Sequence, residues 1–201
     1  MAATTTERIP KFSFREPLLN LQKHVPSKMA ESIFTLQFAR AYLAQYKNLH
    51  HGSSKLRIAY SREIPINGFG IADFVAVSWD ELKLPGACQR FTPDIFIKLA
   101  EPTIRAFESK LKDWRRAMMQ ANRYKYFSNV VIVVMPADKC SKPLEYLNVF
   151  RAINVGLWGF DTDSNRIIPH FTPRSRAAMD IRYEQRALKL VARASKVLPI
   201  F

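Results

Sequence analysis

Val130-Val131-Ile132-Val133-Val134-Met135 is an apolar run with no polar interruption. A strand with one wet face alternates apolar and polar residues. A run of this kind is covered on both faces, which is expected of a strand inside a sheet flanked by helices. The preceding segment, Asp113 to Phe127, places Trp114, Ala117, Met118, Ala121 and Tyr124 on one side at helical spacing. Before that, Thr103 to Leu111 reads as a strand. Strand, helix and buried strand in succession imply a right-handed crossover joining parallel neighbours. The chain is thereby committed to an α/β architecture.

The remaining segments extend that core. Residues 1–26 are polar and broken by Pro10, Pro17 and Pro26, so they read as an N-terminal arm to a single domain over 27–201. Ser27 is suited to cap a helix running to about Tyr46, with Ile33, Phe34, Phe38, Ala41, Tyr42 and Tyr46 on its apolar face and His50 to Ser54 as its stop. Leu56 to Ile66 and Phe69 to Val77 are strands joined by Asn67-Gly68, a favoured two-residue hairpin turn. Residues 78–102, broken by Pro85-Gly86, Pro93 and Pro102, form an insertion. After the buried strand come a helix (Lys142 to Ile153), a strand (Val155 to Phe160), an edge strand (Arg166 to Phe171) and a long basic helix over 174–198. The expected fold is a mixed β-sheet flanked by helices.

Charge narrows the partners. Lys and Arg number 31 against 17 Asp and Glu, a net charge of +14. Such an excess attracts phosphate backbones by releasing their counterions. The 48% hydrophobic content supplies a core, and no apolar run is long enough to span a membrane. Cys88 and Cys140 are too few for a disulfide framework or a thiolate zinc cage, and the first residues lack a secretory signal, so the cytoplasm is the expected compartment. There is no Walker-type Gly-Lys-Ser/Thr loop and no Gly-x-Ser-x-Gly elbow. His24, His50, His51 and His170 lack zinc-site spacing.

Side chains on a strand alternate between faces. Ile71, Asp73, Val75 and Val77 are then expected to share one face of the second strand, and Ile104, Ala106, Glu108 and Lys110 one face of the third. If the two strands are neighbours, Asp73, Glu108 and Lys110 converge. Carboxylate oxygens suit Mg²⁺ or Mn²⁺, and a nearby lysine can orient a water or stabilise charge developing on phosphorus.

In this order and spacing the sequence resembles the PD-(D/E)XK nuclease superfamily, over roughly residues 27–160. Its metal-binding Asp corresponds to Asp73 in Phe69-Gly70-Ile71-Ala72-Asp73, and its Glu-x-Lys to Glu108 and Lys110 in Ala106-Phe107-Glu108-Ser109-Lys110. The RecB-like branch carries Gln-x-x-x-Tyr on the next helix, matched by Gln120 and Tyr124, which are one turn apart on one face. The first helix of such proteins often adds a carboxylate, here Glu31. The proline that names the family is absent, Ile71-Ala72 standing before Asp73. The resemblance implies a restriction-endonuclease-like αβββαβ core with an added C-terminal αβ unit and basic helix. It also implies a Mg²⁺- or Mn²⁺-dependent endonuclease acting on DNA in preference to RNA, in bacterial or phage DNA processing or defence. Asp73 and Glu108, with Glu31, would hold the metal, and Lys110, Gln120 and Tyr124 would complete the catalytic set.

Lys112, Arg115, Arg116, Arg123 and Lys125 surround the third strand and its helix and are candidates for holding phosphates without reading bases. The alternative from another class is a basic nucleic-acid-binding or assembly component that keeps the fold without cleaving. Whether the chain acts as a homodimer or inside a larger DNA-processing complex is open at the level of sequence.

Overall fold

The computed structural model describes residues 27–49, 56–66, 68–85, 90–195 and 197–201. The expected arm over 1–26, the capping side chain of Ser27 and the helix stop at 50–54 lie outside them. The elements are α1 (Ser27–Leu49), β1 (Leu56–Ile66), β2 (Gly70–Asp80), α2 (Pro93–Ala100), β3 (Thr103–Ser109), α3 (Trp114–Arg123), β4 (Val130–Pro136), α4 (Ser141–Leu144), α5 (Leu147–Ala152), β5 (Gly156–Asp161), β6 (Arg166–Phe171) and α6 (Ile181–Ser195). The strands form one six-stranded sheet in the order β1-β2-β3-β4-β5-β6. β3, β4 and β5 run parallel, while β1/β2, β2/β3 and β5/β6 are antiparallel. The molecule is therefore α/β, a mixed sheet with helices on both faces. No helix among the described residues is long and apolar enough to cross a membrane.

Among the described helices, α1 alone covers one face. Its Phe34, Phe38 and Tyr42 pack on Phe74, Phe107, Ile132 and Phe160, with the Phe38 ring 5.3 Å from Phe107 and 5.8 Å from Phe160. The other face is covered by α2, α3, α5 and α6 through Phe96, Trp114, Ala121, Phe150 and Leu188, against Val75, Val77, Ile104 and Ala106. β4 lies between the two layers and is buried from Val130 to Met135, which accounts for its lack of alternation.

Four expectations need correction. The basic helix begins at Ile181, not Arg174. Within 172–180 several backbone donors are engaged elsewhere: Arg176 N–H bonds to the Asn129 carbonyl (3.0 Å), Met179 to Lys125 (2.9 Å) and Asp180 to Tyr126 (3.1 Å). The Asp180 carboxylate then accepts the Arg182 amide at 2.9 Å and starts α6. The insertion over 78–102 is partly core. It holds the end of β2 and then α2, which has Pro93 at its first turn and the fully buried Phe96 against Trp79.

The hairpin closes at the pair Ile66–Gly70, so its connection takes in Phe69 as well. Gly68 (φ 87°) and Gly70 (φ 97°) supply the positive φ angles that turn Phe69 out of the strand. The single helix expected over 142–153 is divided between α4 and α5, because Glu145 and Tyr146 tighten into i→i−3 bonds with Lys142 and Pro143.

Candidate active site

Glu108 is a charged residue at a core position. β3 sits between β2 and β4, and alternation turns Ile104, Ala106 and Glu108 toward α3, so Glu108 is only 1% exposed. Tyr124, fully buried just past the end of α3, brings its hydroxyl to 2.6 Å from Glu108 Oε2 and 2.7 Å from the Ile71 carbonyl. Its single proton serves one of these acceptors at a time. Lys110 lies just past the end of β3, with its amide still bonded to the Val134 carbonyl. Its ammonium stands 3.1 Å from Glu108 Oε1 and 3.3 Å from Glu31 Oε2, and also donates to the Ser109 carbonyl. Glu31, one turn into α1, thus reaches the site from the opposite layer.

Asp73 arrives by a different route from the one alternation suggests. On β2, Val75 and Val77 pack on the α3/α6 side and Phe74 and Ala76 on the α1 side. Ala72 should follow Phe74, yet it packs with Val75 and Val77. β1 changes at the same level: Ile58 and Tyr60 lie on the α1 side, Ile64 and Ile66 on the other. Between the pairs Arg62–Phe74 and Ile64–Ala72 stand Glu63, in the left-handed region at φ 53°, and Asp73. The expected face of Ile71, Asp73, Val75 and Val77 therefore does not include Ile71, which is 54% exposed, and Ala72 takes the inner place. The β2–β3 ladder stops at Phe74–Phe107. Beyond it the Asp73 carboxylate accepts the Ser109 amide at 2.8 Å, a donor that the ladder no longer uses.

Glu31, Lys110, Glu108 and Tyr124 are consequently one hydrogen-bonded network, which Asp73 joins through the Ser109 peptide. Burial, then the Asp73 charge, pushes the Glu108 carboxyl up to about 7, against the opposing pull of Tyr124 and Lys110. Burial likewise raises Asp73, opposed by the Ser109 amide and Lys110. Burial works against the Lys110 charge, but Glu108, Asp73 and Glu31 together outweigh it and hold that ammonium above its ordinary value. Tyr124 is raised by burial and then by Glu108, so it stays a protonated donor.

Gln120 sits one turn before Tyr124, and its buried Oε1 has no hydrogen-bond partner. It lines an open hollow of about 560 Å³ with Asp113, Arg115, Arg116, Met119 and Arg123. The Asp113 carboxylate accepts the Arg116 amide and starts α3. The Arg115 guanidinium lies 4.5 Å over the Trp114 ring, a cation–π contact that holds it in place. Lys112 is exposed just before α3. Lys125 is not part of this group: its ammonium donates to the Ile153 carbonyl, and burial, with Arg176 nearby, lowers its pKa.

Two participants were not anticipated from sequence. The Ser109 amide is a backbone group with no sequence signal. Glu63 is level with Asp73 only because the connection takes in Phe69; the two-residue Asn67-Gly68 turn expected from sequence would set it opposite Ala72.

Among the described residues, no group of three or more His, Cys, Asp or Glu is placed to hold a metal ion. Asp73 and Glu108 nevertheless fit a hard divalent cation. They are two oxygen donors close enough for one charge to raise the other's pKa, and Mg²⁺ often takes only one or two carboxylates while keeping several waters. No family model and no curated protein matches this chain.

Proposed function

We propose that this protein is a Mg²⁺- or Mn²⁺-dependent nuclease of the PD-(D/E)XK type that hydrolyses phosphodiester bonds in DNA. The observation that carries the reading is the Lys110 ammonium held between Glu108 and Glu31, beside a second carboxylate on the neighbouring strand. A partly buried lysine next to two acids that repel one another suits the handling of a water and an anionic phosphate.

Asp73 and Glu108 would hold the metal, which when bound polarises phosphate oxygens and acidifies water, while Glu31 holds the Lys110 ammonium. In hydrolysis a water oxygen forms the new bond to phosphorus while the bond to the departing sugar oxygen breaks, one proton leaving the water and one reaching that oxygen. Lys110 orients the water and steadies the negative charge on phosphorus. Tyr124 fixes the Glu108 carboxylate, and Gln120 offers its open acceptor to the water. Arg115, Arg116 and Arg123 neutralise flanking phosphates along the hollow, an arrangement that holds a backbone without reading sequence.

A second reading, a binding component without cleavage, draws on one feature: both Glu108 oxygens are already engaged, by Lys110 and Tyr124. A cleavage assay separates the two. Linear, circular and single-stranded DNA are incubated with Mg²⁺ or Mn²⁺ and wild type, Glu108→Ala or Lys110→Ala. Cutting by wild type that is lost in both variants while DNA binding persists supports the nuclease. Salt-sensitive binding with no cutting by wild type supports the binding component.

A further inference from the structure

One rim of the carboxylate centre is apolar and open to solvent. Ile71 is 54% exposed, and its carbonyl lies 2.7 Å from the Tyr124 hydroxyl, so its backbone borders the centre directly. Phe69, turned out of the hairpin, stacks on Tyr126 with ring centroids 4.5 Å apart and planes 28° apart, and meets the edge of Tyr183 at 4.7 Å. Tyr126 itself is 37% exposed. Met179 (64% exposed) and Ile181 (50%) are brought alongside because the amides of Met179 and Asp180 bond to the carbonyls of Lys125 and Tyr126.

Large apolar side chains gathered at a surface, against a polar rim, mark a binding face. The occupant is narrowed by charge. Exposed Arg123 precedes this turn by one residue of Tyr124, and the whole chain carries +14, so a second copy would bring repelling charge with it. An anionic strand offering flat apolar faces satisfies both features: cations track the backbone while rings and aliphatic wedges take the bases.

We infer that Phe69, Ile71 and Tyr126 form a stacking platform for unpaired bases, so that the substrate is DNA with single-stranded or unstacked nucleotides beside the bond presented to Glu108 and Lys110. This names a substrate class for the proposed nuclease and rests on that reading. A fork, a flap or a melting end would place its first unpaired base on the platform and its phosphates toward Arg123. A continuous blunt duplex leaves the platform empty.

The test is binding without divalent metal, in EDTA, followed by anisotropy. The probes are a forked DNA carrying 2-aminopurine at its first unpaired position and a blunt duplex of equal length. Wild type is expected to bind the fork roughly tenfold more tightly, with quenching of the 2-aminopurine. Ile71→Ala and Tyr126→Ala should each reduce fork affinity toward that of the duplex. Duplex affinity and the salt slope should stay unchanged, since no phosphate contact is removed. Tyr126→Phe should retain the preference, and thermal melts confirm that each variant is folded.

Equal binding of fork and duplex by wild type, or an undiminished fork preference in both alanine variants, overturns the inference. So does sedimentation showing a dimer that the same substitutions dissociate. Cleavage with Mg²⁺ keeps the two readings apart. Platform-dependent binding without cutting refutes the nuclease and leaves the platform standing, while equal cutting of fork and duplex refutes the platform alone.

Discussion

Replacing Glu108 by Gln should make the metal-free protein more stable in alkaline conditions and change it little in acid. The Glu108 carboxyl is held at about 7 in the folded chain, above its ordinary 4.5. Between these values the folded state keeps a proton that the unfolded chain releases. The stability contributed by that proton is full below about pH 4.5 and is lost as pH rises through about 7. A gap of about 2.5 pH units at about 1.4 kcal/mol each gives a cost of about 3 kcal/mol by pH 8, and under about 1 kcal/mol at pH 5. Glutamine carries no such charge, and the pocket can satisfy it. Its oxygen accepts from Lys110, its amide donates to the Tyr124 oxygen, and the Tyr124 proton passes to the Ile71 carbonyl already 2.7 Å away. Thermal melts of wild type and Glu108→Gln in EDTA across this pH range test the argument. The variant should melt roughly 6–12 °C higher at pH 8, with most of the difference gone at pH 5. Added Mg²⁺ should stabilise wild type more than the variant. A variant less stable than wild type at pH 8, or a difference independent of pH, refutes the reasoning.

Three further outcomes follow from the packing and charge. Gly156→Ala places a methyl 2.8 Å from Pro173 Cδ and 2.9 Å from Ile132 Cγ1, and should cost about 1–3 kcal/mol in urea denaturation. Phe38→Ala empties the fully buried ring on which Phe74, Phe107 and Phe160 converge; its expected cost is about 3–5 kcal/mol by the same measurement. Arg116→Ala, on the hollow beside Gln120, should weaken DNA binding evenly across sequences and lower the slope of log K against log salt by about 1 in a salt titration.

How far the molecule could be read from its sequence depends on how local each cause is. Val130 to Met135 reads as a doubly buried strand because burial on both faces is written into every residue of the run. The α3 stripe of Trp114, Ala117, Ala121 and Tyr124 is equally local, and Glu108 and Lys110 were placed by strand alternation alone. The start of α6 was not legible. The residues from 174 have an acceptable helical composition, and it is their bonds to Asn154 and to the 125–129 turn that forbid the helix. α2, inside the segment read as an insertion, was hidden for a similar reason, since Phe96 is fixed by Trp79 across the layer. The basic residues near α3 read as one group, but Lys125 is removed from it by the Ile153 carbonyl, just past the end of α5.

The orientation of Asp73 depends on a break in alternation that no residue pattern announces. The same break at Glu63 and Asp73 aims the carboxylate at the Ser109 amide and leaves Ile71 exposed on the rim. If the left-handed backbone of Glu63 is its cause, residue preference at position 63 should run opposite to that of an ordinary strand. Valine normally exceeds glycine in a strand by up to about 1 kcal/mol. At φ 53° a β-branched side chain meets the neighbouring carbonyl, at a cost of roughly 1–2 kcal/mol that glycine avoids. Glu63→Gly should therefore be more stable than Glu63→Val in urea, and it should keep the Asp73 geometry that the proposed cleavage requires. Glu63→Val should relax the strand toward regular alternation and lose cleavage together with stability. A Glu63→Val protein more stable than Glu63→Gly would mean that the break has another origin, and that Asp73 is positioned by its bond to Ser109 rather than by the strand beneath it.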